Sequence, residues 1–337
     1  MTEVARFAPP APTEAARAAP DADAARASRL RAAATLSHAL EANLTSVVKG
    51  APAALRVAVV AALSGGHLLI EDVPGVGKTV LARTLAVSLG AELSRIQGHP
   101  DLLPSDVTGV TVYDQRTGAW DFRPGPVFGH VVLLDELNRT PPRTQSALLE
   151  SMDEQQVTVD GRTWPLPQPH LVLATQNPVG QLGTFPLVES QRDRFALCAT
   201  VGYPDAATEA GLVLHDGGRD ALAALRAVCS VGEWAAAIGA VGEVVVAQPI
   251  AAYAVAIARG TREGAGVRLG ASPRASISLV RSAQAHALVS GRGYVAPDDV
   301  AAMAVPSLAH RLLADGDSRF AAAAVSGVLS SLPAPRP

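Results

Sequence analysis

Three short apolar runs, each closing on polar residues, set the pattern of the chain. Leu68-Leu69-Ile70 leads into Glu71-Asp72, and Val131-Val132-Leu133-Leu134 into Asp135-Glu136. Leu171-Val172-Leu173-Ala174 leads into Thr175-Gln176-Asn177. Runs without polar alternation predict strands covered on both faces, as in a parallel sheet. Polar groups at the carboxyl ends of such strands lie where open α/β sheets bind ligands. Ahead of the runs, Ser28–Leu44 and Ala51–Ser64 read as two helices joined around Val47-Val48-Lys49-Gly50.

Two insertions follow a different period. Val110-Thr111-Val112-Tyr113, a turn at Thr117-Gly118 and Ala119-Trp120-Asp121-Phe122 predict a hairpin within residues 101–127. Gln156-Val157-Thr158-Val159, then Asp160-Gly161, then Arg162-Thr163-Trp164 predict a second one. Both read either as sheet decoration or as loops projecting toward an oligomer pore or a partner. Between them Pro141-Pro142 starts a helix with Thr140 as its cap, running through Gln145, Leu148, Leu149 and Met152. Tyr203-Pro204-Asp205 breaks the pattern, and residues 206–330 read as alanine- and leucine-rich helices.

The expectation is therefore an α/β protein: a parallel-sheet core with hairpin insertions, then a smaller all-α lid domain. Residues 1–27 read as a disordered tail, helical at most near its end. Residues 28–203 form the α/β body, 204–330 the lid and 331–337 a tail.

Composition narrows the function classes. The chain has 337 residues, 48% of them hydrophobic, enough for sizeable cores. A net charge of −3 gives no global pull toward nucleic acid or anionic membranes. Cys198 and Cys229 have no metal-ligand spacing and build no disulfide framework, which fits a reduced, cytoplasmic setting. No stretch predicts a membrane span, and the N-terminus lacks a signal-peptide layout.

The chemistry begins after the first run. Pro74-Gly75-Val76-Gly77-Lys78-Thr79-Val80 reads as a phosphate-binding loop between strand and helix. Glycines let successive N–H groups turn into one concavity, and the helix that follows adds the positive end of its dipole. Lys78 is one of only two lysines against 26 arginines. A compact ammonium on a flexible stem suits this task better than a planar fork. Asp72 stands where the motif has its first glycine. Lys78 is assigned to the β/γ-phosphates of ATP, and Thr79 to Mg²⁺. Asp135 is expected to hold the same Mg²⁺ through water, and Glu136 to polarise the attacking water. Asn177 suits a turn before Pro178. As the third polar strand end in a row it also reads as a sensor of the γ-phosphate.

With these segments in order, the sequence resembles the MoxR-type ATPases of the AAA+ superfamily. The resemblance rests also on Arg95-Ile96-Gln97, Pro100-Asp101-Leu102-Leu103-Pro104-Ser105-Asp106 and Gly125-Pro126-Val127-Phe128. It continues through Asp135–Arg139, Thr144–Glu150, Asp193-Arg194-Phe195 and Gly270–Ala275. It implies that Val48 and Gly50 line the adenine pocket and that Asn177 is the first sensor. Arg194 becomes an arginine finger reaching a neighbour's nucleotide, with Arg192 leaving that choice ambiguous. Arg274 becomes the second sensor, in the first turn of a helix capped by Ser272 and begun by Pro273.

Gly98-His99 replaces the family's usual aromatic–threonine pair after Gln97, so a polar switch on Glu136 from that strand is not expected. ATP would sit between the body and the lid. The resemblance further implies a homo-oligomeric, hexameric ring acting as a chaperone-like remodeller with a von Willebrand factor A domain partner, without nucleic acid or membrane insertion. The alternatives are a DNA-acting motor and a dedicated assembly factor of the metal-chelatase or gas-vesicle type. A nucleotide-switched scaffold is disfavoured by the intact Asp135 and Glu136.

Overall fold

A computed structural model describes residues 14–177, 183–214, 218–315 and 318–335. Pro178 and the outer parts of both predicted tails, 1–13 and 336–337, lie outside the described residues. The elements in order are α1 (Glu14–Val47), α2 (Pro52–Ser64), β1 (Leu68–Glu71), α3 (Lys78–Ser88), β2 (Leu93–Gln97) and α4 (Pro104–Thr108). Then come β3 (Gly109–Asp114), β4 (Ala119–Pro124), β5 (Val131–Asp135), α5 (Pro142–Glu154), β6 (Gln156–Val159), β7 (Arg162–Pro165) and β8 (Leu171–Gln176). The chain continues with α6 (Glu189–Arg192), β9 (Leu197–Ala199), α7 (Ala206–Leu214), α8 (Arg219–Ala224), α9 (Val231–Val241) and α10 (Gln248–Gly260). It closes with β10 (Val267–Leu269), α11 (Pro273–Val289), α12 (Pro297–Leu308), β11 (Leu313–Ala314) and α13 (Ser318–Ser331).

The central sheet is five-stranded and parallel in the order β2-β5-β8-β1-β9. The three apolar runs are its middle strands. Every residue of β5 and β8 is buried, which is why those runs carry no polar alternation. Because the strands are parallel, Glu71, Asp135 and Gln176 all end on one edge of the sheet. Both predicted hairpins form, as β3-β4 and β6-β7. Phe122 of one stacks on Trp164 of the other at 4.5 Å between ring centres.

Two expectations need correction. Helix α1 takes in residues 14–27, assigned to a disordered tail, and Arg26 donates to the Glu243 carbonyl at 2.7 Å. Thr140 is buried and does not cap α5, whose cap position is Pro141 with no side-chain bond. A small β10-β11 ribbon lies within the helical region.

The helical lid follows the body as expected, and its core is continuous with that of the body. Leu40 of α1, Val59 and Leu63 of α2, Leu68 of β1, Trp234 of α9 and Leu279 of α11 belong to one continuous apolar cluster. Every residue of α2 from Val57 to Leu63 is buried, as expected of a helix sandwiched on all sides. The indole N–H of Trp234 donates to the Ala62 carbonyl at 2.9 Å, fixing α9 on α2.

Candidate functional site

The loop between β1 and α3 is shaped by its glycines. Gly75 and Gly77 have φ of 90° and 96°, values that an L side chain rarely adopts. Nothing lies within 4 Å of where a Cβ would stand at either, so open space adjoins the loop at both glycines. Pro74 and Gly75 are exposed, while Val76, Gly77, Thr79 and Val80 are half-buried. Lys78 is 8% exposed and donates to the Asp72 carbonyl at 2.7 Å and to Asn177 Oδ1 at 3.0 Å. Burial pulls its ammonium below the ordinary value, against the charges of Asp72, Asp135 and Glu136. Asp72 supports the loop, accepting from the Val73 N–H at 2.8 Å and the Gly202 N–H at 2.7 Å.

Thr79 Oγ1 donates to Asp135 Oδ2 at 3.3 Å. A hydroxyl facing a carboxylate beside an open anion cradle is a donor set of hard oxygens, which fits Mg²⁺ with nucleotide phosphates. Asp135 also accepts from Thr175 Oγ1 at 2.8 Å and pairs with Arg95 at 2.7 Å.

Glu136 carries the backbone strain of the site, with φ 57° and ψ 50°. A left-handed conformation at a non-glycine residue costs on the order of 1 kcal/mol or more, and such residues cluster at functional sites. Its N–H donates to Thr175 Oγ1 at 2.9 Å, which holds the turn. Its carboxylate accepts from Asn177 Nδ2 at 3.2 Å, Arg139 Nη1 at 3.1 Å and Gln97 Nε2 at 3.3 Å. Gln97, the residue before the Gly98-His99 pair, supplies a polar contact to Glu136 from β2. His99 is exposed on the surface. Lys78, Asn177 and Glu136 thus form one hydrogen-bonded row across three strand ends.

At the α1–α2 junction Val48 is 7% exposed. Gly50 has φ 80°, and a Cβ there would lie 3.1 Å from Pro204 Cβ and 3.5 Å from Thr208 Cγ2. The junction and the start of α7 therefore pack together beside the loop.

The two remaining arginines are elsewhere. Arg194 and Arg274 both reach Asp153 on α5, Arg194 through Nε at 3.2 Å and Arg274 through Nη1 at 3.1 Å and a second, shorter contact. They line a cavity of about 300 Å³ with Gly66, His67 and Arg281. Gly66 and His67 precede β1, and the phosphate loop follows it. Four residues of strand, about 13 Å, separate the two ends. Arg274, expected as a sensor of the nucleotide, therefore lies at the opposite end of β1 from the phosphate loop. Arg192 faces inward, where its charge acts on Glu71 and Cys198. Sequence reasoning assigned no role to Arg95, Gln97, Arg139 or Thr175, and it missed Asp153. The strand-end spacing could have flagged Thr175, but nothing local marks Asp153.

Comparison with known proteins gives the same outline. Residues 67–197 match the model of the "ATPase family associated with various cellular activities (AAA)", and residues 259–326 match an AAA lid domain. The chain is 45% identical over 279 residues to the uncharacterized protein YeaC of Bacillus subtilis, covering 82% of this chain and 87% of that one. It is 40% identical over 265 residues to the chaperone MoxR1 of Mycobacterium tuberculosis, covering 76% and 70%. A crystal structure from Cytophaga hutchinsonii, solved as a candidate ATPase, superposes with a TM-score of 0.82 at 32% identity. It covers 92% of this chain and 98% of that one.

Proposed function

The chain belongs to the MoxR-type ATPases of the AAA+ superfamily, and we propose that it hydrolyses ATP to remodel protein complexes. The single observation that carries the reading is the row Lys78–Asn177–Glu136 beside an open glycine cradle. In this reading the backbone N–H groups of Gly75–Thr79 and the Lys78 ammonium hold the β- and γ-phosphates. Thr79 and Asp135 would hold Mg²⁺, which neutralises charge developing on the phosphoryl oxygens. Glu136 accepts the proton of the attacking water. Asn177, Gln97 and Arg139 fix the direction of its carboxylate, and Asn177 touches both Lys78 and Glu136 and so senses the γ-phosphate. Val48 and Gly50 wall the adenine side. Arg194 and Arg274 act on the nucleotide of a neighbouring subunit in a homo-oligomeric ring, taken as a hexamer. Arg194 is preferred over Arg192 as the finger because it is the arginine of the Asp193-Arg194-Phe195 segment that carries the family resemblance.

A protein client, recruited by a partner with a von Willebrand factor A domain, is favoured over nucleic acid. The hairpins carry Asp114, Arg116, Asp121, Arg123, Asp160 and Arg162, a mixed-sign set with no basic stripe for phosphate backbones. Among the described residues no helix is long and apolar enough to cross a membrane.

Glu136→Gln is expected to keep ATP binding and lose turnover by a factor on the order of 10², the usual worth of a positioned base. Lys78→Ala is expected to lose binding as well. Equilibrium binding and phosphate release separate the two, and wild-type turnover by the Glu136→Gln protein would overturn the assignment.

A further inference from the structure

Asp153 has no role in the site at the carboxyl edge, yet three separate parts of the chain meet on it. It is the penultimate residue of α5, which carries the second hairpin. Arg194 comes from the segment between α6 and β9, and Arg274 from the first turn of α11. One carboxylate therefore bridges two guanidinium groups, one through Nε and the other through two nitrogens.

The other charges around the cavity are already engaged. Asp193 accepts from Ser272 Oγ at 3.0 Å and pairs with Arg311 at 3.2 Å. Arg311 donates to the Phe195 carbonyl at 2.7 Å, and Arg281 to the carbonyls of Ser64 at 3.1 Å and Ile238 at 2.7 Å. Those two arginines stitch the helices together. Arg194 and Arg274 depend on Asp153.

Both have physical reason to leave without it. Arg274 stands at the amino end of a 17-residue helix, where the dipole disfavours a cation. Two guanidinium groups sharing one acid repel each other once the acid is neutral. Asp153, near the carboxyl end of α5, joins its own charge to the negative end of that helix. Its bonds to Arg274 also raise that guanidinium above its ordinary value. Arg194 Nη1 is buried without a hydrogen-bond acceptor among the described residues, which leaves the Nε contact to Asp153 to fix this side chain.

We propose that Asp153 is a positioning residue for ATP hydrolysis: it holds Arg194 and Arg274 as a pair, oriented together toward the phosphates of an adjoining subunit. The inference rests on the hydrolytic reading above and adds the residue that couples its two arginines. It also ties their position to α5, the helix between the strand bearing Glu136 and the second hairpin.

The test is a cycle of variants in the full-length protein, read as kcat and KM for ATP. Asp153→Asn is expected to lower kcat about tenfold, because ångström-scale misplacement of a charge-stabilising group costs that much or more. KM is expected to stay within about twofold, since the phosphate loop is untouched. In the Arg194→Ala/Arg274→Ala background, adding Asp153→Asn is expected to change kcat less than about twofold, the non-additivity of residues acting as a unit. Asp153→Glu, which keeps the charge, is expected to recover part of the lost rate. The inference is overturned if kcat of Asp153→Asn falls less than about threefold, if it falls equally in both backgrounds, if KM rises in step, or if the glutamate variant behaves as the asparagine one. Wild type and Lys78→Ala are the controls. An inactive wild type, or an active Lys78→Ala, sinks the hydrolytic reading and this one together. Normal controls with an indifferent Asp153→Asn sink this one alone.

Discussion

Gly98 of the β2 end lies against the strained turn that carries Glu136. In the sequence, Gly98-His99 is only a departure from a family pattern. In the fold, a Cβ at Gly98 would lie 2.2 Å from the Glu136 carbonyl oxygen and 2.8 Å from Thr140 Oγ1. The Gly98 N–H donates to the Asp135 carbonyl at 2.7 Å. Only a residue without a side chain lets β2 approach the strained turn this closely. The neighbour that would have to give way is backbone, so Gly98→Ala is expected to push Glu136 out of line. Turnover should fall on the order of tenfold or more, while ATP affinity measured by equilibrium binding changes little. An alanine variant with wild-type turnover would mean that the Glu136 backbone is free to shift without consequence. The glycine loop, Asp135, Glu136 and Asn177 were legible because local spacing carries their chemistry. Gln97 and Arg139 were not, because what they do depends on which residue stands opposite.

At the scale of elements, the covered strands and the hairpins were legible from period and turn residues. The edge strands were not. β2 has one buried residue in five and β9 is three residues long, so neither shows a run or an alternation. The closing segment of the lid, the turn Ala309–Arg311 after α12, was invisible for a related reason: its partners are remote. His310 is 5% exposed, and its Nε2 lies 3.0 Å from the Phe195 carbonyl, one residue after Arg194. Burial first, then the charge of Arg311, pushes the imidazole down to about 3. An unfolded histidine titrates near ~6.5. Between those values the unfolded chain binds the proton and the folded one does not, so stability falls as pH drops below ~6.5. At pH 5 the cost from this one group is about 2 kcal/mol, and above ~6.5 it vanishes. Urea unfolding at pH 7.5 and pH 5 should therefore show a larger drop in midpoint for wild type than for His310→Gln. Equal drops would mean that His310 is not held neutral.

At the scale of the whole molecule, alanine-rich helices gave no hint of where the lid would dock. Small side chains on α1, α2, α9 and α11 allow close approach but do not name a partner, and the contacts join residues far apart in sequence. That docking decides the mechanism. The phosphate loop lies at the carboxyl edge of the sheet, and Arg194 and Arg274 gather at its amino edge around Asp153. A subunit arranged this way has the hydrolytic carboxylate at one end and two candidate charge-stabilising arginines at the other. In the proposed ring, each nucleotide would borrow its arginines from a neighbour. Lys78→Ala subunits lack a working loop but retain both arginines. Arg194→Ala subunits lack the finger but retain the loop. Each variant alone should be nearly inactive, since a finger supplied in trans contributes a factor of about 10³ or more in related phosphoryl transfer. Mixed in equal amounts at a concentration that supports assembly, they should recover activity at the interfaces where an intact loop meets an intact finger. Phosphate release well above the sum of the separate variants, falling away on dilution, is the expected result. A mixture no more active than that sum, from subunits shown to co-assemble, would place the working arginines within the chain that binds the nucleotide.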